Sequence, residues 1–181
     1  MKIIILLIFT VISLFAGIKQ NMFNLYQNKK YEKVCTIGFN NLKRHLKDEE
    51  FISLYAFGCL NADYIDRLAI PVAILKFSEE SRANSAYFSV ILMQKKLLYH
   101  ALLDNYDISA LQLPTTDYVL SKVFDMYAKL GNHQRRAFYL FDDKDDKKLT
   151  YKLYITKDKK LNKIVIEEFY DTIKIKRHIY W

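Results

Sequence analysis

Apolar residues recur at helical spacing through the first 131 positions and alternate with polar ones from Arg135 onward, so the chain changes period once, near Gly131. Leu25 and Tyr26 end a first stripe, Asn28 to Lys30 form a polar turn, and Tyr31, Val34, Cys35, Phe39 and Leu42 fall on one face of a second helix. A second pair is expected over Glu49 to Ala62 and beyond Tyr64, where Pro71 lacks an N–H and should kink or restart the second arm. Ser78-Glu-Glu-Ser then opens a long helix over Glu79 to Asp104 with acidic residues in its first turn. Its stripe of Tyr87, Ile91, Leu98, Ala101 and Leu102 is widened by Phe88 and Leu92, which predicts more than one neighbour. Leu113-Pro-Thr-Thr-Asp117 reads as a loop delivering an N-cap, and Leu120, Val123, Phe124, Tyr127 and Leu130 carry the last helix to Gly131.

Beyond that glycine, Leu149, Tyr151, Leu153 and Ile155 alternate with Thr150, Lys152, Tyr154 and Thr156. Four strands are predicted, roughly 136–141, 149–156, 163–169 and 173–180, joined by short polar connections and hence an antiparallel meander. No Gly/Pro/Ser linker separates it from the helices, so the apolar sheet face is expected to pack on the last of them. The fold class is therefore α+β, divided as 1–16, a helical region 17–131 and a β-meander 132–181 that folds with the helices as one cooperative unit.

The segment from Asn24 to Leu42 resembles a tetratricopeptide repeat, in which a polar turn is followed by Tyr, a small residue three positions on, then a large residue and Leu. Val34 stands at the small position and should loosen the helix contact. Gly58, Leu60, Ala62 and Tyr64 echo the pattern, but Tyr31 and Tyr64 are 33 residues apart, one short of the family's 34. The resemblance covers roughly residues 20–76 and implies paired antiparallel helices offering a shallow groove to a protein partner.

Composition supports a packed body. Half of the 181 residues are apolar, 14 are Tyr and 12 Phe, while 4 Gly and 2 Pro leave few breakers. Residues 1–16 have the form of a signal peptide: Lys2, the apolar run Ile3 to Phe15, and a small residue at Ala16. Export to the periplasm is expected, with an uncleaved anchor as the alternative; no later segment is long and apolar enough to span a membrane. The formal charge is +8, and residues 132–181 hold 13 basic against 8 acidic side chains. In an exported protein such an excess points to lipid head groups, cell wall or an acidic protein face, and nucleic acid is not expected as a partner.

Reactive chemistry is sparse. No nucleophile elbow, P-loop, zinc-protease motif or dinucleotide turn occurs. His45, His100, His133 and His178 fall in separate elements without metal-ligand spacing, so no catalytic residue, cofactor site or metal site is predicted. Asp142-Asp-Lys-Asp-Asp146 lacks the EF-hand order and reads as a solvated hairpin loop. Glu167 and Glu168, adjacent on a strand, should point to opposite faces. Cys35 and Cys59 are equidistant from Lys47, so antiparallel helices turning there place both at one level and predict a disulfide; two buried free thiols are the alternative.

These features together predict a non-catalytic scaffold or adaptor that binds other proteins in the cell envelope. The Lys, Ile, Asn, Tyr and Phe usage resembles exported proteins of Campylobacter-type bacteria, which suggests an accessory part of an assembly such as the flagellar motor. A periplasmic carrier or sensor, holding a small apolar ligand between the long helix and the sheet, is the competing expectation.

Overall fold

The computed structural model describes residues 17–131, 135–158 and 161–181; the expected signal peptide and His133 lie outside them. Among the described residues six helices precede a four-stranded antiparallel sheet, the α+β order that the change of period predicts. By compactness the chain forms two units, one ending at Ser85 and the other beginning at Ala86.

The first unit is built from α1 (17–27), α2 (Tyr31–Asn41), α3 (Glu49–Asn61), a 3₁₀ turn (Ile65–Leu68), α4 (Ala69–Ile74) and the opening turns of α5 (Glu79–Asp104). Both of its hairpins turn by the same backbone device. After α1, the N–H groups of Lys29 and Lys30 donate to the carbonyls of Tyr26 and Leu25, and after α3 those of Asp63 and Tyr64 donate to Leu60 and Cys59. Lys29 and Asp63 take φ values of 57° and 64°, the left-handed residue that lets the last carbonyls be satisfied. The turns thus recur at a spacing of 34, whereas the tyrosine landmarks suggested 33.

Side chains then fix how α2 meets α3. Val34, Cys35, Tyr55 and Cys59 are buried where the two helices meet, and Phe51, Ile52 and Ala56 of α3 are buried as well. A Cβ added to Gly58 would lie 2.6 Å from Val34 Cγ1, and one on Gly38 would lie 2.5 Å from Tyr55 Cδ2. Val34 therefore does not loosen the contact; the small partner sits on the facing helix. The Sγ atoms of Cys35 and Cys59 stand 2.01 Å apart, a disulfide joining α2 to α3. Pro71 falls inside α4, preceded by the 3₁₀ turn, so the restart expected there is present. Lacking an N–H, it leaves the Arg67 carbonyl to another donor, and the Tyr55 hydroxyl supplies it at 3.3 Å. Burial pushes that hydroxyl up to about 12, against the pull of the Arg67 charge, so it stays a donor.

The second unit holds the rest of α5, α6 (Val119–Ala128), and strands β1 (Tyr139–Asp142), β2 (Leu149–Asp158), β3 (Leu161–Tyr170) and β4 (Ile173–Tyr180) in the order β1-β2-β3-β4. Pairing of Tyr139 with Leu153, Phe141 with Tyr151, Leu153 with Ile166 and Ile155 with Ile164 lines up one apolar face. That face packs on the last helices: the Tyr127 and Tyr139 rings meet edge to face at 5.0 Å, and the Tyr180 hydroxyl donates to that of Tyr118 at 3.3 Å. Asp117 does not cap α6. Tyr118 holds the N-cap position without a side-chain bond, Asp117 accepts from the Tyr87 hydroxyl at 2.8 Å, and Ser121 Oγ receives the Thr116 N–H at 2.7 Å. No helix among the described residues is long and apolar enough to cross a membrane.

Candidate functional site

Helix α3 is apolar nearly all round, so after Phe51, Ile52, Tyr55, Ala56 and Cys59 are buried it still has Leu54 and Phe57 to place. These two, with Ser53 between the turns, form the floor of a groove of about 550 Å³ in the first unit. Lys19, Gln20 and Phe23 of α1 make one wall, and Ser78, Glu80, Ser81 and Asn84 at the start of α5 make the other. Phe23 remains 46% exposed, an aromatic ring at the lip of the groove.

The groove is held open by polar bonds at its ends. Lys19 Nζ donates to Glu50 at 2.7 Å and lies 3.4 Å from Asp48, tying α1 to the start of α3. Asn84 donates to Ser53 Oγ at 3.2 Å. Glu49 accepts the N–H groups of Lys76, Phe77 and Ser78 and the hydroxyl of Ser81. Ser78 and Ser81 meanwhile exchange backbone N–H and side-chain oxygen, a capping box that opens α5 where Ser78-Glu-Glu-Ser predicts it. Desolvation alone pushes the Glu49 carboxyl up, but the donors from Phe77, Ser81 and Ser78 prevail and hold it down at about 2. Glu50 and Glu80 remain exposed on the rim, so the groove combines an apolar floor with an acidic edge.

Several ionisable groups elsewhere are paired with one another. Asp143, in the acidic loop, accepts from Tyr151 at 2.5 Å and Lys122 at 3.2 Å on one oxygen, and from the N–H groups of Asp145 and Asp146 on the other. Burial raises its carboxyl, yet these donors hold it at about 2. Buried His178 lies 2.8 Å from Glu168, while Glu167 meets Lys174 at 3.3 Å and Arg177 at 3.7 Å, so the adjacent carboxylates serve opposite faces of β3. Beside Lys122 and Asp143 is a hollow of about 210 Å³ that Asp125 and Asp145 also line, and Asp125 binds Lys129 and Lys144. His45 stacks on Phe51 at 4.0 Å, and His100 meets Asp104 at 2.8 Å. No three metal-ligating side chains converge among the described residues.

Between the end of α5 and the sheet lies a hollow of about 450 Å³, where an apolar ligand pocket was expected. Asp104, Asn105, Arg135 and Arg136 line its exposed mouth, and Tyr139, Tyr154 and Ile155 its interior. Of the side chains singled out in the sequence, Cys35 and Cys59 are brought together, and the three described histidines, His45, His100 and His178, are not. Phe23, Leu54, Phe57 and Glu49 escaped notice because each lies off its helix's main stripe; the signal was the surplus of apolar faces on α3. No family model, no curated protein and no solved structure matches the chain.

Proposed function

We propose that the protein is a non-catalytic adaptor of the cell envelope that binds a protein segment in the groove of its first unit. The observation that carries this reading is the floor of Leu54 and Phe57 beside the exposed ring of Phe23, rimmed by Glu50 and Glu80. An apolar centre within a polar rim is how protein surfaces hold one another, and aromatic anchors carry a large share of that energy. Like turns 34 residues apart, after α1 and after α3, support a tetratricopeptide-like scaffold, and the Cys35–Cys59 disulfide suits an oxidising compartment such as the periplasm. The mutual pairing of Asp143, Tyr151, Lys122, Glu168 and His178 accords with a body that carries no reaction. The carrier reading is less well supported, since the hollow beside the sheet has a charged, open mouth.

A photo-crosslinking residue at Ser53, on the groove floor, tests the proposal in cells, with one at exposed Lys43 as the control. A defined protein adduct from position 53 that is absent from position 43 is expected, and F23A or F57A should weaken capture about tenfold. Equal adducts at both positions overturn the reading, as does a small-molecule adduct from position 53.

A further inference from the structure

Strand β4 closes the sheet order and pairs on one side only, with β3. Its other edge meets no strand among the described residues, and residues 173–177 are exposed without interruption. Ile173 is 70% and Ile175 57% exposed, which leaves two β-branched side chains in water along a run of unshared backbone donors and acceptors. Lys176 pairs with Glu168 and Lys174 with Phe169, so Ile175 is an extra residue in the strand that bends it locally.

The charge of this edge restricts what can lie against it. Lys174, Lys176 and Arg177 stand within four positions. Of the facing carboxylates, Glu167 is shared between Lys174 and Arg177, and Glu168 is bound by His178. The edge therefore keeps a positive excess. A second copy pairing β4 to β4 sets cations against cations, which destabilises the ladder. A bilayer surface offers no regular series of donors and acceptors to an open strand.

We propose that the free edge of β4 takes up an extended acidic segment of another protein as an added strand. Main-chain hydrogen bonds supply the affinity, carboxylates on one face of the incoming strand meet Lys174 and Arg177, and its apolar residues on the other face cover Ile173, beside Lys176. This surface belongs to the second unit and does not depend on the groove.

The test uses the full folded chain, a short fluorescent peptide alternating Glu and Val, its Lys/Val counterpart, and vesicles of mixed neutral and anionic phospholipid. The Glu/Val peptide should bind with an affinity that falls as salt rises, and should protect amides of residues 173–177 from hydrogen exchange. K174E/K176E/R177E should weaken it about tenfold or more. The neutral variant K174Q/K176Q, checked for native circular dichroism, should give an intermediate loss, which separates lost charge from lost fold. Equal binding of both peptides, absence of protection in β4, unchanged affinity of the charge variants, protection of β4 by vesicles in place of peptide, or salt-insensitive dimerisation through β4 would each overturn the proposal.

Discussion

Gly58 has no side chain because Val34 of the facing helix fills the space where one would stand, and the same is true of Gly38 against Tyr55. The two glycines cost helix propensity, yet they let α2 and α3 approach closely enough to bury a β-branched residue and an aromatic ring at the crossing. Replacing Gly58 with Ala gains propensity but sets the new methyl against Val34 Cβ and the Cys35 backbone, at 2.9 and 3.2 Å. Because backbone cannot retreat as a flexible side chain can, G58A should destabilise the protein by about 1–3 kcal/mol, read from denaturant melts. The double variant G58A/V34A removes the 2.6 Å contact with Val34 Cγ1 but keeps those with Cβ and the Cys35 backbone, so it should recover only part of that loss, an outcome that a propensity effect alone does not give.

Element boundaries followed from residue chemistry wherever that chemistry was local. The long helix begins at the predicted residue because Ser78 and Ser81 cap it, a start that Glu49 reinforces from α3, and it runs to Asp104 as its stripe predicts. The start of α6 was misplaced onto Asp117, whose carboxylate is drawn away by the Tyr87 hydroxyl, a partner 30 residues distant that no local pattern reveals. The tyrosine landmarks, 33 residues apart, mark side chains, while the two like turns, 34 apart, are made by the carbonyls that Lys29, Lys30, Asp63 and Tyr64 bind. Groove residues stayed hidden because their role depends on which helix faces are left over once the core is filled. Glu49 gives the sharpest element-scale test. Its carboxyl is held at about 2 against an ordinary 4.5, so the bonds it makes to Phe77, Ser78 and Ser81 stabilise the fold fully above pH 4.5 and are lost as the pH falls toward 2. E49Q should therefore melt lower than the parent at neutral pH, and the gap should close as the solution is acidified through that window, followed by circular dichroism.

At the scale of the whole molecule, the two units rest on different devices. Within the first, helices are joined by a covalent bridge and by side chains that reach across, and within the second, a hydrogen-bonded sheet lies on helical rings. Reduction should tell them apart. Opening the Cys35–Cys59 bridge, with 24 residues of separation, should cost about 3 kcal/mol and fall on the first unit. Hydrogen exchange after mild reduction should rise in α2 and α3 while β2 and β3 keep their protection; uniform loosening of both units would contradict that division. Conserved residue types are not what makes the two hairpins turn alike. Position by position, Asn24 and Gly58, Lys29 and Asp63, and Lys30 and Tyr64 differ in chemistry, yet their peptide groups describe one bend. A shape stored in peptide groups leaves its side chains free to mutate, so architecture of this sort can outlive every recognisable letter of its text.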